Sequence, residues 1–138
     1  MLMNKTIAVV VPAYNEEKQI DHVLRTMPHF VDRIIVVNDC STDNTAGVVL
    51  NYINEDRAIG KIIRPSCGTC SDSQYDRAEK MLKEKQQDDM RHYIPSEIVN
   101  AHPETDRVIL INHHKNGGVG SAIARGYKWC LDHDIDCT

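Results

Sequence analysis

The chain alternates short, wholly apolar runs with longer segments in which apolar residues recur every three or four positions. Thr6–Val11 (TIAVVV) is continuous and β-branched, the pattern of a strand covered on both faces in a parallel sheet. Pro12 is expected to stop it. From Glu16 the period changes. Ile20, Val23, Leu24 and Met27 fall at i, i+3, i+4 and i+7, one face of a helix that Pro28 ends. Glu16 and Glu17 lie in its first turn, where the helix dipole favours negative charge. Arg33–Val37 (RIIVV) is a second buried strand. Ala46, Val49, Leu50 and Ile53 repeat the helical spacing, with Ser41 or Thr42 placed to cap that helix and Asp43 in its first turn. Arg107–Asn112 (RVILIN) is the next strand. Val119, Ala122, Ile123, Gly126 and Cys130 then share one face of a last helix, and Asp134–Cys137 reads as the approach to a further strand.

The order strand, helix, strand, helix predicts an α/β fold, a Rossmann-like parallel sheet with flanking helices. Residues 55–106 break the rhythm and read as a charged insertion in a single domain spanning 1–138. Within it, Lys61–Arg64 is a candidate edge strand. Asp72–Arg91, dense in charge and poor in apolar anchors, reads as a solvated helix or arm, with partner docking as the alternative.

Composition narrows the class. With 138 residues, 41% hydrophobic, 26% charged and a net charge of −4, the chain suits one soluble domain and excludes a large multidomain enzyme. No apolar run approaches the ~20 residues of a membrane span. No secretory signal is visible at Met1–Thr6, so a cytoplasmic setting is expected. The mild acidity argues against nucleic acid as a partner. Five cysteines, an odd number, argue against a disulfide scaffold. Cys67-Gly-Thr-Cys70 has the spacing of a zinc or redox pair. It supplies two of the four ligands a structural zinc needs, with His92 or His102 as completing candidates, and an ordinary loop is the competing reading. Cys130 reads as core. Cys40 sits among the polar residues of a strand-end loop.

Open parallel sheets bind ligands outside the carboxyl ends of their strands. Three polar loops fall there: Pro12–Glu17, Asn38–Thr45 and His113–Ser121. Each leads into a helix N-terminus, whose free N–H groups favour anions, so together they suit a nucleotide. The glycine-rich loop is not a dinucleotide fingerprint. With Gly118 and Gly120 as the first two glycines, Ile123 stands at the third place. Nor is it a Walker loop, since no Gly-Lys-Ser/Thr occurs. A tight strand-to-helix turn is the alternative. His113 and His114 read as a solvated pair or as phosphate contacts. Lys115 and Arg125 read as surface charges or as holders of a diphosphate, and Tyr127 and Trp129 as packing residues.

The motifs VVVPAYNEE, IIVVNDCSTDNT and NGGVGSAIARG carry a resemblance. In this order and spacing the chain resembles the nucleotide-binding half of family 2 glycosyltransferases with the GT-A fold. It is most similar to the branch of polyprenyl- and dolichyl-phosphate sugar transferases. The resemblance covers about 5–53 and 107–136 and leaves out the charged middle. It implies that Pro12 and Tyr14 line the base pocket, that Glu16 approaches the nucleoside, and that Asp39 accepts a hydrogen bond from a uracil or guanine ring. It implies that Asn116, Gly118 and Gly120 shape the backbone under the ribose and diphosphate. Ser41 and Asp43 are expected to hold the second loop. Two departures are Asn38, where the family often has a second acid, and Cys40, where it usually has glycine.

A larger departure is the family's Asp-x-Asp metal motif, expected at the end of the strand after Thr138. Asp134-Ile135-Asp136 matches it by letters but lies too early, in a helix-to-strand turn. Sugar transfer needs a divalent cation (Mg or Mn) at the leaving diphosphate and a general base for the acceptor. No catalytic residue or metal ligand is identified. The expectation is therefore an N-terminal piece of a GT-A fold, truncated before the Asp-x-Asp strand and inactive alone. Its parent would move a sugar from a UDP- or GDP-sugar to a lipid phosphate or glycan, in cell-envelope or polysaccharide biosynthesis at the inner membrane face. A non-catalytic nucleotide-binding or assembly module is one alternative. A sugar nucleotidyltransferase is another, but that class carries its glycine-rich signature where Pro12–Glu17 stands here. In the resembling fold the first strand is internal, so an open apolar edge at Ile7–Val11 is expected to drive self-association.

Overall fold

In the computed structural model, residues 2–59 and 90–138 are described, together with 81, 84, 85 and 88. Cys67, Cys70, Lys61–Arg64 and most of Asp72–Arg91 lie outside the described residues. Four strands form one sheet: β1 (Ala8–Ala13), β2 (Arg33–Asn38), β3 (Ser96–Ile98) and β4 (Val108–His113), in the order β1-β2-β4-β3. β1, β2 and β4 are parallel, and β3 runs antiparallel along β4. The helices are α1 (Ile20–Arg25), α2 (Thr45–Ala58) and α3 (Val119–Asp132). This predominantly parallel sheet with flanking helices is the Rossmann-like arrangement expected from the sequence.

The continuous apolar runs follow from burial on both faces. In β2, Ile34 and Val36 join α1 and α2 through Ile20, Leu24, Val49 and Ile53. Ile35 and Val37 join α3 through Ala122, Trp129 and Cys130. β4 divides the same way, with Val108 and Leu110 on one side and Ile109 and Ile111 on the other. Each fully buried aliphatic side chain contributes about 1.5–3 kcal/mol. α3 lies close on β1, where a Cβ at Gly126 would stand 2.3 Å from the Val10 side chain.

Several expected details differ. Pro12 does not stop β1: it stays in register opposite Val37. In a parallel strand the N–H groups of alternate residues point to opposite sides. The Ala8 N–H points to the outer edge, where it reaches the Cys137 carbonyl at 2.9 Å. By that alternation the Pro12 nitrogen also faces outward, where no ladder hydrogen bond to β2 is lost. α1 begins only at Ile20 and ends at Arg25, before Pro28. Ser41 and Thr42 do not cap α2, whose cap residue is Asn44; the Asp43 carboxylate accepts the Thr45 N–H at 3.1 Å. On α3, Val119 is exposed rather than part of the buried face, and Tyr127 is exposed while Trp129 is packed. β3 was not anticipated, being three residues long between prolines. Among the described residues, no helix is long and apolar enough to cross a membrane.

At the base of the sheet, the buried Asp106 carboxylate accepts from Arg57 at 2.7 and 2.5 Å and from Asn100 at 2.8 Å. Burial pushes its carboxyl up, and Arg57 and Asn100 more than reverse this. Asp106→Ala is expected to lower stability by about 2–3 kcal/mol, read by denaturant unfolding. On the outer side of β1, only the bridge between Ile7 and Cys137 is paired among the described residues. We propose that this edge drives self-association. Light scattering at rising concentration should show species above the monomer mass, and a clean monomer is the contrary result.

Candidate functional site

β1, β2 and β4 end level with one another, because Ala13 pairs with Asn38 and Asn38 with Asn112. Their loops therefore meet at one edge of the sheet, and short side chains latch them. The Asn15 N–H donates to Ser41 Oγ at 3.0 Å, and the Thr42 N–H donates to Asn15 Oδ1 at 2.8 Å. The Glu16 N–H donates to Thr45 Oγ1 at 3.1 Å and the Glu17 N–H to Asp43 Oδ2 at 3.3 Å. Ser41 and Asp43 thus hold the second loop and also fasten the first. Asn38 and Asn112 pair side by side at 3.1 Å.

Asp39 ties the second loop to the third. Its Oδ1 accepts the Gly117 N–H at 2.9 Å and lies 2.9 Å from His113 Nδ1; its Oδ2 accepts the Gly118 N–H at 2.8 Å. The residue is only 3% exposed. Burial by itself pushes the Asp39 carboxyl up. The Gly117 amide, the His113 ring and the Gly118 amide together outweigh it and hold the carboxyl below the usual carboxylate range. The two amides belong to the turn that opens α3, so Asp39 acts as an anion at that helix's N-terminus, where the dipole favours negative charge. Oδ1 has two donors and Oδ2 has one, so Oδ2 retains acceptor capacity.

The third loop is built for close approach. Gly118 has φ +84, a conformation open to glycine at no steric cost, and Asn116 Oδ1 accepts its N–H at 3.1 Å. A Cβ at Gly117 would stand 1.6 Å from Ile94 Cδ1, so the segment before β3 lies directly on the loop. Gly120 differs. A Cβ there would meet no atom of the described residues within 4 Å, and its φ is not in the left-handed range, so neither their packing nor the backbone explains the missing side chain. α3 has no side-chain cap and no acidic residue in its first turn.

The other anticipated residues are placed as follows. Pro12 is half-buried at the end of β1, Tyr14 is 47% exposed, and Glu16 is half-buried beside the α2 N-terminus. Asp39, Asn116 and Gly118 are joined directly by hydrogen bonds; Pro12, Tyr14 and Gly120 flank them without a mutual bond. Cys40 has φ +56, a left-handed conformation that explains why glycine fits this place in the resembling family. Asp136 accepts the Thr6 N–H at 2.8 Å and the Thr6 hydroxyl at 2.9 Å, at the far end of β1 from the three loops. Among the described residues, no group of three His, Cys, Asp or Glu side chains is placed to hold a metal.

Two readings of single residues change. His113 is not solvated: its side chain has no exposed surface, while His114 is exposed. Arg125 is not a surface charge: it is buried, and its Nε donates to Ser96 Oγ at 2.9 Å. The signal for His113 was available, since it continues the alternation of Ile109 and Ile111.

Residues 8–68 match the model of glycosyl transferase family 2. Over this stretch the chain is similar to family 2 glycosyltransferases, polyprenyl-phosphate sugar transferases among them. It is 47% identical over 45 residues to a UDP-N-acetylglucosamine–dolichyl-phosphate N-acetylglucosaminyltransferase of Methanococcus voltae, covering 32% of this chain and 18% of that protein. It is 48% identical over 54 residues to a dolichyl-phosphate beta-glucosyltransferase of Trichomonas vaginalis, covering 31% and 16%. It is 44% identical over 52 residues to a 4,4'-diaponeurosporenoate glycosyltransferase of Staphylococcus aureus, covering 36% and 14%. The matched stretch is thus under a fifth of the length of each relative. No solved structure gives a significant match.

The depressed Asp39 carboxyl sets a pH dependence. Its native value lies below the ordinary value of about 3.9, so its contribution is complete above about pH 4 and is lost as pH falls through the native value. The amide resonances of Gly117 and Gly118 should hold steady from neutral pH to about pH 4 and move together only below it. Movement of both near neutral pH would contradict the assignment.

Proposed function

We propose that this chain supplies the nucleotide side of a family 2 glycosyl transfer, from a UDP- or GDP-linked sugar to a lipid-phosphate or glycan acceptor. The observation that carries the reading is the third loop. It is tied to the second loop through Asp39 and opens α3, whose second residue is Gly120, where no atom of the described residues occupies the missing side chain's place. Backbone N–H groups there can meet a diphosphate. Tyr14, exposed beside Pro12, offers a face for a base, Glu16 stands toward the nucleoside, and the remaining acceptor capacity of Asp39 Oδ2 suits a ring N–H. Asn116 sets the turn beneath the ribose.

The names of the relatives, two of them dolichyl-phosphate transferases, support a lipid phosphate as the acceptor. That acceptor would bring the reaction to a membrane surface. A divalent cation is part of the proposed reaction, but the described residues do not fit one. Asp136 is taken up by Thr6 and Lys5, and no three-ligand cluster occurs. No step is assigned to it.

Calorimetric titration with UDP and with GDP, in the presence of Mn²⁺, tests the reading. Binding of one of them, weakened about tenfold or more by Gly120→Leu with unfolding unchanged, is the expected result. Leucine is a good helix former and enters open space, so a loss of affinity reads the ligand rather than the fold. No binding of either nucleotide by the folded chain overturns the proposal.

A further inference from the structure

We infer that His113 is a positioning residue of the nucleotide site, acting through Asp39 on the amides of Gly117 and Gly118. The inference rests on the reading above for its ligand, though not for its geometry. His113 ends β4 on the face that carries Ile109 and Ile111, packed towards α3. Leucine or isoleucine there would complete an apolar stripe. A histidine stands there instead, with its side chain fully buried.

Among the described residues the ring makes one polar contact: Nδ1 lies 2.9 Å from Asp39 Oδ1, and Nε2 is buried with no partner. An ionised carboxylate only accepts, so Nδ1 carries the hydrogen that meets Oδ1, and Nε2 is left unpaired. Leaving a buried nitrogen without a partner opposes stability. The residue therefore does something that an aliphatic side chain would not.

What it does is set the carboxylate plane. The outer torsion of an aspartate is broad, so its orientation is decided by partners. The ring hydrogen and the Gly117 N–H converge on Oδ1 from β4 and from the third loop. With Oδ1 held from two sides, Oδ2 is directed at the Gly118 N–H and its remaining lone pair has one direction. His113 thus fixes both the turn that opens α3 and the acceptor offered to a base. Buried partners of this kind orient the groups that meet a ligand, and removing them typically weakens binding by about 10–100-fold at metal sites.

Two variants and one wild-type spectrum test the inference. His113→Asn keeps an N–H donor near the position of Nδ1; His113→Phe keeps the ring volume and removes the donor. Without nucleotide, hydrogen exchange at Gly117 and Gly118 should quicken about tenfold or more in the Phe variant, relative to other α3 and β4 amides. In the Asn variant it should stay within about threefold of wild type. UDP or GDP affinity should follow the same order. Equal behaviour of the two variants, whether both like wild type or both impaired, would reduce His113 to a packing residue and overturn the inference. Should the Phe variant not fold, nitrogen NMR of the wild-type ring decides. A hydrogen on Nδ1 upholds the inference, and an Nδ1 without one sinks it. If the folded wild type binds neither nucleotide, the exchange and tautomer results still judge His113 while the ligand reading fails separately.

Discussion

A carboxylate taken out of water must be supplied with donors, and at Asp39 that requirement organises the working edge of the sheet. Few side chains can reach across from neighbouring strands, so the donors come from a ring on β4 and two backbone amides beyond it. The strands set this up. Their equal ends, paired through Ala13, Asn38 and Asn112, bring three loops to one level. Apolar burial on both faces of β2 and β4 then holds that level rigid. The charge is local, but the frame that presents it is hydrophobic.

The latches between the first and second loops follow a related logic. Asn15, Ser41, Asp43 and Thr45 are short, and each meets a backbone group rather than another long side chain. Such bonds order a loop with little side-chain entropy lost. Larger groups remain uncommitted around them: Tyr14 is exposed, and Gly120 has open space in place of a side chain. The site thus separates residues that hold the loops from residues free to meet something else.

How much of this was legible beforehand depended on range. β2 and β4 were readable because a doubly covered strand must be apolar at every position. The three loops were readable as a group because motif order and helix starts are local. The Asp39 bonds to Gly117 and Gly118 join residues 78 and 79 positions apart, and no periodicity encodes such a pairing. β3 escaped notice because three residues between prolines carry no period. Pro12 was misread as a stop because a proline's effect depends on which way its nitrogen faces, which only the partner strand decides. His113 was legible in principle, yet its polar type outweighed the alternation that placed it inside.

The outward nitrogen of Pro12 has a consequence for how the sheet can grow. A strand laid parallel along β1 finds a donor at Ala8, already used by Cys137, and by the same alternation another at Val10. At Pro12 it finds none. The seam between β1 and any such neighbour therefore lacks one rung at the top, beside the first loop, while the outward Pro12 carbonyl still accepts there. A carbonyl of the added strand at that height would be left without a rung.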